Sequence, residues 1–202
     1  LLDPQQGLPP LPGAADEARA VATSLRAAGI RTKLLLHDKA TESAFRAAAT
    51  GACIVHLACH AVLRPQASES PLFLAPQPPD DGLLLPSEIG DLQLNGALVV
   101  LAACQSGLGR ATADGVVGLG RAFLQAGARC VLLSLWRVSD AATQQLMTQF
   151  YAQLVGTPEA PALDAAAALA AAQRSSRADS GDVAALWGPW LLVGDGGWRL
   201  QS

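Results

Sequence analysis

The chain has 202 residues, of which 50% are hydrophobic and 15% charged, so its length and composition suit one globular domain with a sizeable core. A formal net charge of -3, with only 14 Lys and Arg residues in scattered positions, argues against a protein that contacts nucleic acid. The sequence shows neither an apolar run of the roughly 18 residues that a membrane-spanning helix needs nor a signal-peptide pattern, so no membrane association is expected.

The four cysteines indicate reduced thiols. Cys53, Cys59, Cys104 and Cys130 lie inside or at the ends of apolar runs, and no two of them form a C-x-x-C pair. A small disulfide scaffold would show a different spacing. The pattern therefore favours a cytoplasmic protein.

In chain order, helical spacing alternates with short apolar runs. Residues 1–13 are rich in Pro, Gln and Gly, and we interpret them as the remnant of a linker cut from a longer protein, followed by one domain at residues 14–202. The patterns predict helices at 14–28, 41–49, 86–92, 116–126, 140–154 and 161–174, and strands at 33–36, 52–59, 97–103, 130–135 and 190–193. A loop with a small strand or hairpin is predicted at 61–81. This order predicts an α/β domain with four or five parallel strands and right-handed helical crossovers.

A histidine and a cysteine directly follow two of the predicted strands. His60 comes after strand 52–59 and Cys104 after strand 97–103, so neighbouring parallel strands would deliver both side chains to one edge of the sheet. A thiol attacks carbonyl groups as the thiolate, and an imidazole can take its proton and later protonate a leaving amine. The pair is a candidate acyl-transfer dyad, with the main-chain N–H groups of Cys104 and Ala61 as candidate oxyanion donors. The alternative is that both residues are structural, as most Cys residues in apolar runs are.

Neither a metal nor another cofactor is predicted. Two histidines and a cysteine suggest zinc, but a structural zinc site needs four ligands, and no fourth Cys or His stands at a suitable spacing. Gly107-Leu-Gly109 is similar to the start of a dinucleotide-binding turn, yet Thr112 occupies the position of the third glycine. His56 is expected on the same strand face as His60. We interpret it as a buried, hydrogen-bonded structural residue, and the alternative is that it helps to orient the site.

Four sequence blocks carry a family resemblance. They are Ile54-Val-His-Leu-Ala-Cys-His60, Ala97-Leu-Val-Val-Leu-Ala-Ala-Cys-Gln-Ser-Gly107, Gly118-Leu-Gly-Arg-Ala-Phe-Leu-Gln-Ala-Gly-Ala128 and Leu133-Ser-Leu-Trp-Arg-Val-Ser-Asp140. Together they resemble the CHAT domain, a caspase-like cysteine peptidase module that is often fused to helical repeats. The resemblance implies a caspase-like three-layer sandwich with a mostly parallel sheet flanked by helices. It also implies that His60 is the catalytic base and Cys104 the nucleophile.

The chain departs from the family pattern beside the predicted base. The family usually has Gly directly after the catalytic His, where this chain has Ala61, and a left-handed backbone at that position would strain a residue with a Cβ. Cys59 stands where a small polar residue is common. Strand alternation predicts that Cys59 packs on the face opposite to His60.

The resemblance also implies a substrate-binding segment after strand 130–135. In caspase-like enzymes the substrate lies as an added strand beside this segment, so Leu135, Trp136 and Arg137 would supply main-chain pairing and a hydrophobic wall. Asp140 resembles the acidic residue that gives separases a basic preference, whereas Arg137 would favour an acidic one. Asp140 has a second interpretation, as the N-cap of the helix that follows. The preferred hypothesis is cleavage after a basic residue.

The sequence thus predicts a cysteine endopeptidase that acts on protein substrates. The alternative is a domain that has kept the CHAT fold but works as a catalytically idle binding or scaffolding module. Regulation by an upstream helical-repeat region or a partner protein is expected, acting through the loop at 61–81.

Overall fold

Two sheets form in the computed structural model, which describes residues 11–61, 70–102, 113–136, 138–180 and 183–200. Within these residues, the strands of the central sheet are, in spatial order, β1 (Ile54–Leu57), β5 (Leu98–Leu101), β6 (Cys130–Ser134) and β7 (Trp190–Gly194). The smaller sheet is antiparallel and joins β2 (His60–Ala61), β3 (Leu72–Phe73) and β4 (Leu83–Leu84).

Helices cover both faces of the central sheet. They are α1 (Pro12–Ala27), α2 (Glu42–Ala49), α3 (Pro86–Gly90), α4 (Ala113–Gln125), α5 (Asp140–Val155), α6 (Ala165–Ser180) and α7 (Ala184–Trp187). One core contains apolar residues of α1, α5 and α6, and the other contains apolar residues of α2, α3 and α4. Both β5 and β6 are buried along their whole length, because helices cover both faces of the sheet. Their continuous apolar sequences suit this environment. The predicted three-layer α/β fold is confirmed.

The last strand runs opposite to the predicted direction. β1, β5 and β6 are mutually parallel, whereas β7 pairs antiparallel with β6, with Ser134 opposite Trp190 and Cys130 opposite Gly194. Two long helices, α5 and α6, pack against each other between these strands. A single crossover helix would return the chain to the end of the sheet where β6 begins. Two antiparallel helices instead bring the chain back to the end of the sheet where β6 ends. A strand that begins there must run antiparallel.

Two further expectations about strands were wrong. β1 ends at Leu57, and the chain then enters the small sheet at His60, so His56 and His60 lie on different strands. Residues 33–36 were predicted as a strand, but they belong to neither sheet. The small strand predicted within the loop at 61–81 is confirmed as β3, and residues 62–69 of that loop lie outside the described residues.

A buried carboxylate holds the small sheet against α2. Glu42 Oε1 accepts a hydrogen bond of 2.8 Å from the Gly82 N–H, directly before β4. Burial raises the pKa of Glu42, and the Gly82 hydrogen bond partly offsets that effect. Gly82 has φ +83°, and a Cβ there would lie 2.7 Å from the Leu74 carbonyl oxygen. Only glycine fits this close approach of two main chains.

Candidate active site

The predicted catalytic residues follow two strands, β1 and β5, that pair in parallel. Leu57, the last residue of β1, pairs with Leu101, the last residue of β5, and the Ala102 N–H donates to the Leu57 carbonyl at 2.9 Å. His60 follows Leu57 by three positions. Cys104 follows Leu101 by three positions in the sequence and lies outside the described residues. Both strands therefore direct the chain towards the same edge of the sheet, at equal distances along the sequence.

The predicted base begins the small sheet. His60 pairs with Phe73, and Ala61 pairs with Leu72, so β3 holds this part of the chain in an extended conformation. His60 is half-buried, and Ala61 is buried. Because Ala61 does not have a positive φ, its Cβ causes none of the left-handed strain that replacement of the family's Gly suggested. Its main-chain N–H thus remains a candidate oxyanion donor.

Two of the other thiols are unsuited to nucleophilic attack. Burial raises the pKa of Cys59 to about 12, although a hydrogen bond from the Phe73 main chain lowers it. Burial likewise raises the pKa of Cys130 to about 12. Both thiols are therefore protonated at neutral pH. Cys59 packs against the core that contains Val55, and Cys53 is exposed.

His56 belongs to a buried network that joins three elements. Its Nδ1 lies 3.1 Å from the Tyr151 hydroxyl on α5, and its Nε2 lies 3.1 Å from Glu17 Oε1 on α1. The prediction that His56 is hydrogen-bonded is confirmed by these two contacts. The sequence analysis missed Glu17, although it stands four positions before Val21 and eight before Leu25, on the buried face of α1. Burial, and next the charge of Glu17, raise the pKa of Tyr151 well above its usual value.

Comparison with protein families matches the CHAT domain over residues 2–195. The chain belongs to the CHAT domain family. Among curated proteins, it is 43% identical over 115 residues to tetratricopeptide repeat protein 28 of Homo sapiens and 48% identical over 80 residues to that of Mus musculus. These alignments cover 55% and 40% of the chain but only 4% and 3% of the relatives, so the chain spans a small part of their length. Tetratricopeptide repeats are helical, in agreement with the expected association of CHAT domains with helical repeats.

The segment that the CHAT resemblance assigns to substrate follows β6. Trp136 is 43% exposed, and its indole N–H donates to the Ala185 carbonyl of α7 at 3.2 Å, which fixes the ring at the surface. The Leu135 N–H donates to the Pro189 carbonyl at 3.0 Å and continues the pairing of β6 with β7, so this one group is already bonded within the sheet. Arg137 lies outside the described residues.

Asp140 connects the beginnings of two helices. It is the first residue of α5, and its Oδ2 accepts a hydrogen bond of 3.1 Å from the Gly13 N–H in the first turn of α1. The N-cap of α5 is Ser139, whose hydroxyl accepts from the Ala142 N–H at 3.3 Å, so the N-cap interpretation of Asp140 was wrong by one residue. The positive ends of both helix dipoles face this carboxylate.

The described residues show no group of three or more His, Cys, Asp or Glu side chains that could hold a metal ion. The segment with Gly107 and Gly109 lies outside the described residues. In the part of the chain that the structure describes, no helix is both long enough and apolar enough to cross a bilayer.

Proposed function

We propose that this CHAT domain is a cysteine endopeptidase with Cys104 as the nucleophile and His60 as the general base. The observation that carries the proposal is the pairing of Leu57 with Leu101, because each proposed catalytic residue follows its strand by three positions. The raised pKa values of Cys59 and Cys130 support it further, since neither thiol would compete as a thiolate.

In the proposed reaction, His60 takes the proton of the Cys104 thiol, and the thiolate attacks the carbonyl carbon of the scissile peptide bond. The main-chain N–H groups of Cys104 and Ala61 donate hydrogen bonds to the oxyanion. The C–N bond then breaks, the imidazolium protonates the leaving amine, and a thioester remains. His60 next takes a proton from a water molecule as that water attacks the thioester carbon. The C–S bond then breaks, the acid product leaves, and the imidazolium returns the proton to the Cys104 sulfur.

The proposed substrate site includes Trp136, Arg137 and Asp140. Trp136 supports this role because its indole is held at the surface by one hydrogen bond and leaves an apolar face for a substrate side chain. Asp140 uses Oδ2 for Gly13, and its Oδ1 has no hydrogen-bond partner among the described residues. A carboxylate oxygen of this kind can accept from Arg or Lys, so cleavage after a basic residue remains our preference.

Regulation by helical repeats is part of the proposal. The two mammalian relatives are named as tetratricopeptide repeat proteins and are far longer than this chain. The loop at 61–81 begins at the residue that follows His60, so a protein that contacts this loop would act directly on the base.

Labelling with an electrophilic peptide probe tests the proposal. We expect covalent labelling of the intact chain at Cys104, loss of labelling in Cys104→Ala and a decrease of at least about tenfold in rate in His60→Ala. Cys53→Ala is the matched control, because it removes an exposed thiol outside the proposed site and should leave the rate unchanged. Labelled residues are identified by peptide mass analysis.

The same experiment tests the alternative of an idle scaffold. A scaffold would leave Cys104 no more reactive than the exposed Cys53 thiol, and mutation of His60 would not change the rate. Matched peptides with Arg, Asp or Leu before the cleaved bond then measure the preference in wild type and Asp140→Ala. An Arg preference that survives this mutation would remove Asp140 from the proposed pocket.

A further inference from the structure

Trp136 lies against the turn that joins α7 to β7. Residues 187–190 form this turn, which we call the α7–β7 turn. The Trp136 indole N–H donates to the Ala185 carbonyl at 3.2 Å. A Cβ placed on Gly188 would lie 3.7 Å from Trp136 Cζ2, so the ring is also in contact with the main chain of the turn. The position of the Trp136 ring therefore depends on where the α7–β7 turn lies.

One side chain of α6 bonds to both ends of this turn. Gln173 Nε2 donates to the Trp187 carbonyl and to the Trp190 carbonyl, each at 3.1 Å. A glutamine amide nitrogen carries two hydrogens, so one side chain can serve both carbonyls. Trp187 is the last residue of α7, and Trp190 is the first residue of β7. Gln173 thus fixes the end of the helix and the start of the strand relative to each other.

The Trp190 carbonyl depends on this side chain because it faces away from the sheet. Within the described residues, β7 is an edge strand of the central sheet. The Leu135 N–H donates to the carbonyl of Pro189, the residue before Trp190. In an antiparallel pair the main-chain groups of successive residues point in opposite directions, so the Trp190 carbonyl points away from β6. Trp190 is buried, and Gln173 supplies the donor that a neighbouring strand would otherwise provide.

A second side chain of α6 contacts the same turn. Residues 165–172 of the helix are all Ala or Leu, and Gln173 is its first polar residue. Four positions later, Arg177 places its guanidinium carbon 5.7 Å from the centre of the Trp187 ring. Residues four positions apart lie on one face of a helix. One face of α6 therefore holds the main chain of the turn through the Gln173 amide and a ring of the turn through Arg177.

We propose that Gln173 is a positioning residue for the substrate site, because it fixes the Trp136 ring through the α7–β7 turn. The inference rests on the proposed function, in which Trp136 contacts substrate. Gln173 bonds to the turn and not to Trp136, so it acts on substrate only through the turn. Loss of its two hydrogen bonds lets the turn and the ring move, and substrate then binds more weakly. The proposed dyad, His60 and Cys104, follows other strands, so the chemical step should keep its rate.

Steady-state kinetics of two variants of the intact chain test the proposal. Gln173→Met keeps the length of the side chain without its donors, and Gln173→Glu keeps its shape but replaces the donors with a carboxylate oxygen. With the matched peptide that wild type cleaves fastest, we expect both variants to raise KM by about three- to tenfold and to leave kcat within about twofold of wild type. Gln145→Met is the matched control, because the Gln145 amide bonds to Asp179 of α6 at 2.9 Å, and it should change neither constant.

Fluorine NMR of the chain labelled with 5-fluorotryptophan reports the position of Trp136 directly. The chain has four tryptophans, and Trp136→Phe identifies the resonance of Trp136. In both Gln173 variants we expect this resonance to shift and broaden. The Trp198 resonance is the internal control and should not move, because the Trp198 indole bonds to the Gly96 carbonyl at 2.9 Å, before the start of β5.

Three results would overturn the proposal. An unchanged Trp136 resonance in both Gln173 variants would show that the turn keeps its position without these hydrogen bonds. A shifted resonance with an unchanged KM would show that the position of Trp136 does not affect substrate binding. Equal changes in Gln145→Met would show that α6 supports the fold as a whole. Failure of the proposed function has a different signature, since wild type would then cleave no peptide and Cys104 would not be labelled, while the NMR spectra would still show whether Gln173 fixes Trp136.

Discussion

Removal of one hydroxyl group by Tyr151→Phe should destabilise this domain without inactivating it. Tyr151 is fully buried, and the His56 side chain to which it bonds at 3.1 Å is only 9% exposed, so water cannot readily replace the hydroxyl. The ring keeps its edge contact with Phe150. An unpaired buried polar group costs about 1–3 kcal/mol. For a chain of this length, each kcal/mol lowers Tm by about 2–4 °C.

Urea unfolding followed by tryptophan fluorescence measures the effect. Thr148→Ala is the matched control on the same helix, because its exposed hydroxyl bonds only to the Gln144 carbonyl, and its cost should stay within about 0.5 kcal/mol. A Tyr151→Phe cost as small as that of the control would refute the role of the network in stability. At temperatures well below Tm, peptide cleavage by Tyr151→Phe should match wild type. Loss of cleavage in a stable variant would instead place His56 in the reaction.

Three further predictions concern the buried and strained groups. Tyr151 is the only tyrosine in the chain, and burial raises its pKa. Phenolate absorbance should therefore appear only as the protein unfolds at alkaline pH, and phenolate in folded protein near pH 10 would contradict this. Because the pKa of Glu42 is raised in the folded state, its contribution to stability falls as pH rises through that pKa. Glu42→Gln keeps an acceptor for Gly82, so in urea titrations it should be at least as stable as wild type at neutral pH and lose that advantage in acid; the reverse trend would contradict the raised pKa. Gly82→Ala should cost about 1–3 kcal/mol and more than Gly51→Ala, which shares a positive φ but has open space around its Cβ; equal unfolding free energies would show that the Leu74 carbonyl moves away.

Local patterns in the sequence determined the layers of the fold and the candidate dyad. The apolar runs at 97–103 and 130–135 could be buried only between two helix layers, and they became β5 and β6. The family blocks named His60 and Cys104, and the parallel pairing of β1 with β5 is the relation between strands that this dyad requires. The structural role of His56 was also predictable, because an imidazole inside an apolar run needs partners for both ring nitrogens.

Other features depended on partners that are distant in sequence. The apolar composition of residues 33–36 predicted a strand. A strand forms only where a neighbouring segment pairs with its main-chain groups, and none of the described residues pairs with this segment. The end of β1 at Leu57 was likewise set by pairing of His60 with Phe73, and the direction of β7 by the packing of α5 on α6. From the sequence alone, Glu17 would be taken for a surface residue, because its partner His56 lies 39 positions away in the chain. Strand pairing and burial depend on two segments of the chain, whereas secondary-structure propensity depends on one. For this reason, only the tertiary structure decided where strands pair and which residues are buried.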